Sequence, residues 1–238
     1  MSSSCRLELV ENCQGCPLRS NGYFCDLPGT VLKEFESIKY TMAYPQDSLL
    51  FIQGESPRGV YMLCKGRIKL SITSPQGKSL ILRIAEAGDI LGVESAVSGN
   101  PLLATAETLE PCQINFVSLK GFLKFLQENV EASLRAAQEL GRSYQIACER
   151  IRSLGLSQSA PERLARFLLE WTDNRHQVNG RTRARLTLTH EEIGQVIGIS
   201  RETVTRIFGD FRSKQLVTIQ GSVLSIQNRP GLESVAAS

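Results

Sequence analysis

Three thiols close to one end pose the first chemical question. Cys13, Cys16 and Cys25 stand in "NCQGCPLRSNGYFC" with C-x2-C-x8-C spacing. A C-x2-C pair offers two sulfurs from one turn of chain, which suits a soft metal ion; with two distant cysteines it can hold structural zinc, which favours four thiolates. The same pair also suits a dithiol–disulfide redox switch. A catalytic thiol oxidoreductase needs the pair at a helix start in a βαβ setting. No such pattern precedes this one, so the chain reads as a non-enzyme. Cys64, in an apolar strand run, and Cys148, in a helical row, read as packing residues. Both histidines, His176 and His190, lie in the C-terminal part and leave the rest of the chain without a haem ligand.

Composition sets the surroundings of those thiols. The start "MSSSCRLELVENC" lacks a basic stretch followed by an apolar one, so no secretory signal is expected. No apolar run approaches the roughly 18 residues of a membrane span. A cytoplasmic location is therefore expected, where thiols stay reduced. The seven cysteines (5, 13, 16, 25, 64, 112 and 148) are odd in number and make a poor disulfide framework. With 42% hydrophobic and 21% charged residues over 238 positions, the chain can bury a core without staples, as one large domain or two modest ones.

Four pieces separate along the chain. Residues 1–29 are cysteine-rich with little periodicity. Residues 30–118 read as β, with "SLLFIQGE", "GVYMLCKG", "RIKLSIT", "SLILRIAEAGD" and "CQINFVS" as short apolar or alternating runs. Glycines 66, 77, 88 and 99 punctuate them every eleven residues, as turns do in a sandwich or rolled sheet. Residues 119–156 read as one long helix. On it Val130, Leu134, Ala137, Gly141, Tyr144, Cys148 and Ile151 follow alternating steps of four and three, the seam of a coiled coil. Small residues at 137 and 141 let two backbones approach, and such a length favours a helix that meets its twin.

The last piece, residues 157–238, carries the chemistry of a polyanion reader. Ser159–Glu162 and Thr189–Glu192 have capping-box spacing for two helix starts. Gly198–Ile199–Ser200 then makes a tight turn, and a second helix starts at Ser200 as N-cap and buries Val204 and Ile207. Arg201, Glu202, Thr205 and Arg206 fall on its exposed face near the N-terminus, where a recognition helix needs its base-reading groups. Arg holds guanine bidentately, and Glu accepts from cytosine. Two short strands around a glycine in "LVTIQGSVLSIQ" read as a wing. This piece holds eleven Lys/Arg against eight Asp/Glu, whereas the first 156 residues balance at sixteen each. Four arginines and no acid lie in the loop "RHQVNGRTRAR" (175–185), which suits a polyanionic partner and equally a solvated loop.

Rolled sheet, long helix and winged helix-turn-helix, in that order, resemble the CRP/FNR superfamily of bacterial transcription regulators. The resemblance covers nearly all of the chain from about residue 30, and "SRETVTRIF" closely matches the superfamily's recognition helix. The fold it implies is α+β: an N-terminal double-stranded β-helix (a β-roll like that of cyclic-nucleotide-binding domains), a long dimerisation helix, and a C-terminal winged helix-turn-helix. By resemblance Glu202 and Arg206 are shared base readers, with Thr189, Ser200 and Thr205 beside them. Arg201 is of the CRP type, so the half-site leans toward TGTGA, TTGAT or something between. The implied partners are double-stranded DNA with a palindromic site, a second copy of the chain, and RNA polymerase, for which "SPQGKS" (74–79) is a candidate contact.

The superfamily also frames the signal. Its cyclic-nucleotide branch holds the phosphate with a Gly-Glu pair and a following Arg-Ser. Here Glu94 stands near Gly92, but no arginine occurs between Arg83 and Arg135, so the bidentate phosphate partner is missing. "ETLEPCQINFVSL" resembles the segment of FNR-type oxygen sensors that carries their lone distal cluster ligand, with Cys112 at its place. Cys13, Cys16 and Cys25 match the three N-terminal ligands, although that branch has C-x2-C-x5-C; Cys5 is the reserve. The resemblance thus implies a [4Fe–4S] cluster on Cys13, Cys16, Cys25 and Cys112 that senses oxygen or redox state. Structural zinc, a redox disulfide and a metabolite pocket in the β-roll remain alternatives, as does a structural DNA-binding dimer without a switch.

Overall fold

A computed structural model describes residues 12–19, 24–155, 159–173, 177–178 and 181–237. Cys5 and His176 lie outside the described residues. The chain divides into two compact units, Met1–Ala147 and Cys148–Ser238. Among the described residues no helix is long and apolar enough to cross a membrane.

The first unit is a β-roll flanked by helices. Helix α1 (Gly29–Ile38) leads into β1 (Lys39–Tyr44), β2 (Leu49–Phe51), β3 (Gly59–Lys65), β4 (Ile68–Thr73), β5 (Ser79–Ala85) and β6 (Ile90–Leu91). Helix α2 (Val93–Ser98), β7 (Thr105–Thr108) and β8 (Cys112–Ser118) complete the roll. One antiparallel sheet has the order β1-β8-β3-β6 and the other β2-β7-β4-β5. The four glycines spaced by eleven all adopt left-handed backbone, with φ from 71° to 103°, a conformation in which glycine has no Cβ to clash.

Period-two alternation divides the side chains of β3 and β8 between two cores. Tyr61 and Leu63 of β3 and Cys112, Ile114 and Phe116 of β8 turn inward, where they meet Phe51, Ile68 and Ala106 of the second sheet. Val60, Met62 and Val117 turn outward into a second core. There they pack with Phe24, Leu27, α1 residues Leu32 and Phe35, and the helices that follow the roll.

Those helices are two rather than the single one expected. Helix α3 (Leu119–Glu128) ends at Asn129, which is extended, and α4 (Val130–Gly155) starts afresh. The Asn129 amide donates to Phe125 O and to Glu34 Oε2, which satisfies both the end of α3 and the approach of α1. The break lets Phe122 and Phe125 bury in the outer core while α4 inserts Ala132 and Ala136 from a different angle. The unit boundary also falls inside α4, at Ala147, not beyond its end.

The second unit comprises α5 (Ala160–Asp173), β9 (Gln177–Val178), β10 (Arg181–Arg185), α6 (His190–Ile197), α7 (Arg201–Ser213), β11 (Val217–Gln220), β12 (Val223–Ile226) and α8 (Arg229–Ala236). Its sheet runs β11-β12-β10-β9. The basic stretch read as a loop is in part a strand: Thr182 to Arg185 pair with Val223 to Ile226. The pattern Ala184–Arg185–Leu186–Thr187–Leu188 alternates, with Ala184, Leu186 and Leu188 buried, and the arginine count hid that period.

A charge network in the first unit sets the angle of α4. Glu139 of α4 is buried, and Arg83 of β5 lies between it (3.6 Å) and Asp89 (3.8 Å). Arg142 closes the ring on Asp89 at 2.5 Å. Burial pushes the Glu139 carboxyl up to about 7; Asp89 and Glu94 add to the rise, while Arg83 and Arg142 oppose it. A carboxyl raised in the folded state stabilises below its unfolded value and loses that contribution as pH rises through the folded one. Between pH 5 and 8 the first unit should therefore lose stability on the order of 3 kcal/mol from this group. Thermal unfolding over that range should show a falling midpoint that Glu139→Gln largely flattens; an unchanged slope in the variant would refute the assignment.

Candidate nucleic-acid interface and thiol site

The helix-turn-helix is built from short-range rules. Thr189 caps α6 through a complete capping box, its hydroxyl accepting from Glu192 N–H while the Glu192 carboxylate accepts from Thr189 N–H. Ser159 likewise accepts from Glu162 N–H at the start of α5. Gly198 leaves α6 in left-handed conformation, and Ile199 N–H donates back to Gly194 O. A Cβ on Gly194 would stand 2.5 Å from Ile199 O, so the turn closes only over a glycine. Ser200 then caps α7 by accepting from Thr203 N–H.

Helix α7 buries Val204, Ile207, Phe208 and Phe211. Its period of 3.6 leaves Arg201, Glu202, Thr205 and Arg206 exposed on the other side. The Glu202 carboxyl is held below its ordinary value by its own backbone N–H and the Ser200 hydroxyl, which keeps it an acceptor. Arg206 pairs loosely with Asp210 one turn on, at 3.9 Å between exposed groups. Thr205 is less available than its exposure suggests. Its hydroxyl donates to Arg201 O at 2.9 Å, which leaves a lone pair for the Nδ1–H of His190 at 2.8 Å. The His190 ring stacks on Phe208 at 5.0 Å, and burial first, then Arg201 and Arg212, lower its pKa. His190 is a positioning group that the sequence reading passed over as an ordinary member of the motif. The strand β10 adds exposed Arg183 and Arg185 to the same unit.

On α4 the alternating row is open to solvent. Val130, Leu134 and Tyr144 of the first unit are 86%, 51% and 73% exposed, and Ile151 of the second is 70% exposed. Ala137, Gly141 and Cys148 continue the row, all exposed. The opposite face, with Ala132, Ala136 and Glu139, is buried in its own unit. An apolar row left bare beside a satisfied buried face needs a partner.

The thiols are distributed in a way that spacing alone does not convey. Cys13, Cys16 and Cys25 line one small cleft on the outer face of the roll, with Phe24, Leu32 and Met62, and the fourth thiol in that cleft is Cys64. Cys64 follows Val60 and Met62 on the outward side of β3. Cys112 is not brought to this cleft. It belongs to the inner core, fully buried, with Glu110 O at 3.1 Å and Arg67 O at 3.4 Å as acceptors within reach of its thiol proton. The residue of β8 that touches the cleft is Asn115, whose amide reaches Cys13 Sγ at 3.9 Å. Cys112 and Asn115 are three apart, an odd separation, so they face opposite sides of the strand.

All these thiols are free. Burial raises the Cys13 thiol, lifts Cys25 to about 11 and Cys64 to about 12, and the neighbouring cysteines add to each rise. Cys112 rises to about 11 for the same first reason, burial. Without a metal, burial thus favours the thiol over the thiolate at Cys13, Cys25, Cys64 and Cys112. Among the described residues, no three His, Cys, Asp or Glu side chains stand close enough to share one metal ion.

Comparison with known proteins agrees with this architecture. A cyclic nucleotide-binding domain model matches residues 41–129, and a Crp-like helix-turn-helix domain model matches residues 162–235. The chain is 27% identical over 196 residues to the cAMP-activated global transcriptional regulator CRP of Salmonella typhimurium, covering 82% of this chain and 93% of that protein. It is 26% identical over 223 residues to the transcriptional activatory protein AadR of Rhodopseudomonas palustris, covering 93% and 92%. In fold it is similar to FixK2 of Bradyrhizobium japonicum (TM-score 0.73, 23% identity, 84% of this chain and 98% of the other). It is equally similar to the c-di-GMP responsive regulator CLP of Xanthomonas campestris (TM-score 0.74, 16% identity, 84% and 100%).

The exposed face of α7 yields a mutational expectation. Arg201→Ala, Glu202→Ala and Arg206→Ala should each weaken binding to a cognate duplex by about 1–3 kcal/mol while changing binding to random duplex far less. Competition gel shifts at fixed salt measure this; equal losses on both duplexes would assign Arg201 and Arg206 to phosphate contact instead and leave Glu202 without a base-reading role.

Proposed function

Because the chain belongs to the CRP/FNR family of transcription regulators, we propose that it works as a homodimer on palindromic DNA and takes its signal through a cysteine-bound iron–sulfur centre responsive to oxygen or redox state. Regulators of this family bind DNA and act as dimers. For this chain the second copy fits the bare row on α4, and two α7 helices then address half-sites one turn apart, about 34–36 Å. The exposed turn at residues 74–79, between β4 and β5, is the candidate contact with RNA polymerase.

The observation that carries the signalling part is the position of Cys25. Its neighbour Phe24 is fully buried, its ring in tilted contact with Phe35 and Phe122 in the core that also holds Ala132 and Ala136 of α4. Its other neighbour, Asp26, pairs with Arg135 of α4 at 3.5 Å. Whatever holds or releases Cys25 therefore acts on the dimer helix through both flanking residues. An iron–sulfur cluster supplies an oxygen-labile tie at such a point, and four thiols on an apolar surface are a donor set that it accepts. A coupling of about 1–3 kcal/mol changes DNA affinity by about 5–150-fold, which is enough for regulation.

A cyclic-nucleotide trigger has less support. The relative in Salmonella typhimurium is named cAMP-activated and that in Xanthomonas campestris c-di-GMP responsive. Here Arg83 is engaged with Asp89 and Glu139, and no arginine follows until Arg135. The match of residues 41–129 to a cyclic nucleotide-binding domain does favour a second reading, in which the roll takes a different small metabolite.

Anaerobic purification followed by iron and sulfide assay, visible absorption and gel shifts with and without air tests the proposal. A coloured protein whose DNA affinity drops on exposure to air is expected. A colourless protein holding one zinc, with air-insensitive binding, would reject the oxygen trigger and leave the regulator. Under the metabolite reading Cys13→Ser leaves regulation unchanged; here it should abolish it. Leu134→Asp should convert the protein to monomers in sedimentation and weaken binding to a palindrome by at least about tenfold, or roughly 1.4 kcal/mol. A dimeric variant would move the interface elsewhere.

A further inference from the structure

The sulfur cleft on the outer face of the roll holds four cysteines, three contributed by the N-terminal segment and one by a strand. We propose that Cys64 is the fourth thiolate of a metal centre shared with Cys13, Cys16 and Cys25, and that Cys112 is a core residue and not a ligand. The inference rests on the reading of these thiols as a metal-bound sensor, and it replaces one member of the donor set that family resemblance implies.

Three observations carry it. First, strand geometry separates the two candidates. Cys64 shares the outward side of β3 with Met62, which also lines the cleft, whereas Cys112 shares the inward side of β8 with Ile114. To reach Cys13, the Cys112 thiol would have to cross to the other face of its own sheet, in which Cys112 pairs with Tyr44 of β1 and the next residue, Gln113, with Lys65 of β3.

Second, Cys112 is fully occupied where it stands. Its single thiol proton has two carbonyl oxygens within reach, Glu110 O at 3.1 Å and Arg67 O at 3.4 Å, and the buried Arg67 guanidinium is held bidentately by Glu110. A Cβ on Gly66 would come within 2.5 Å of Cys112 Sγ, so the sulfur packs directly against the Gly66 backbone. Rotating Cys112 outward would empty a packed site and give up the hydrogen bond of its thiol.

Third, the cleft has the chemistry of a thiophilic site. Its lining apart from the sulfurs is largely apolar, with Phe24, Leu32 and Met62, which excludes water and hard ligands. The enclosed space is about 20 Å³, room for roughly one water. Cys64 is held in β3, while Gln14 and Gly15, between Cys13 and Cys16, are exposed.

The test uses the full chain, purified without oxygen, as wild type, Cys64→Ser, Cys64→Ala and Cys112→Ala. Iron, sulfide and zinc per chain and visible absorption are read, with circular dichroism to confirm folding. Iodoacetamide mapping is done before and after metal removal by a chelator. Cys64→Ser and Cys64→Ala should lose at least about nine-tenths of the bound metal, and Cys112→Ala should keep it. In wild type, chelation should expose Cys64 to alkylation together with Cys13, Cys16 and Cys25, while Cys112 stays unlabelled. A folded Cys112→Ala that loses its metal while Cys64→Ser retains it would overturn the donor set and leave the cluster-based sensor standing. Zinc in place of iron, lost on Cys64→Ser, would uphold the donor set and sink the oxygen trigger. A wild type without any metal would overturn both.

Discussion

Alternation along two neighbouring strands governs this structure. Because β3 and β8 pair over nearly their full length, each residue must commit to one of two cores, and a shift of one position would exchange them. Tyr61, Leu63, Cys112 and Ile114 fill the roll, whereas Val60, Met62, Cys64 and Val117 form a platform on its outside. On that platform Phe24 and Leu27 anchor the cysteine segment, and Ala132 and Ala136 anchor α4. The segment that bears the thiols and the helix that bears the bare apolar row are thus packed on one hydrophobic cluster. Burying a side chain such as Phe24 contributes about 1.5–3 kcal/mol, comparable with the coupling a regulator needs.

A second constraint acts at the other edge of α4. The ring of Arg83, Asp89, Glu139 and Arg142 ties β5 and the turn before β6 to the middle of that helix. Hydrophobic packing tolerates sliding, whereas a desolvated charge cluster does so at a cost of several kcal/mol per unpaired ion. The two together orient the Leu134–Tyr144 face away from its own unit. Arg83, which a phosphate-binding role would need, is held in this ring.

Much of the helix-turn-helix was legible from the residues because its rules are local. The Thr189 capping box, the Ser159 side-chain cap, the turn at Gly198 and the Ser200 cap involve contacts within five residues, and the structure has each of them. The exposed face of α7 follows from helical period alone. The basic stretch was harder: its alternation became a strand only because β12, some forty residues later, pairs with it. The single long helix was read from an unbroken lack of proline, but Asn129 interrupts it through hydrogen bonds to Phe125 and to the distant Glu34. Similarly, the role of His190 depends on Thr205 and Phe208 of the following helix.

The succession of rolled sheet, helices and helix-turn-helix, the family, the exposed face of α7 and the apolar row on α4 were legible in the sequence alone, since periods of two and 3.6 are properties of a strand and a helix in isolation. Which cysteines meet was decided by the tertiary structure. Cys64 had the look of a packing residue and Cys112 that of a distal ligand; only the folded roll, by covering one side of its sheet with the N-terminal segment and closing the other upon itself, separates them. A linear pattern specifies that two residues point to opposite sides of a strand, but not which side will receive a segment some forty residues away.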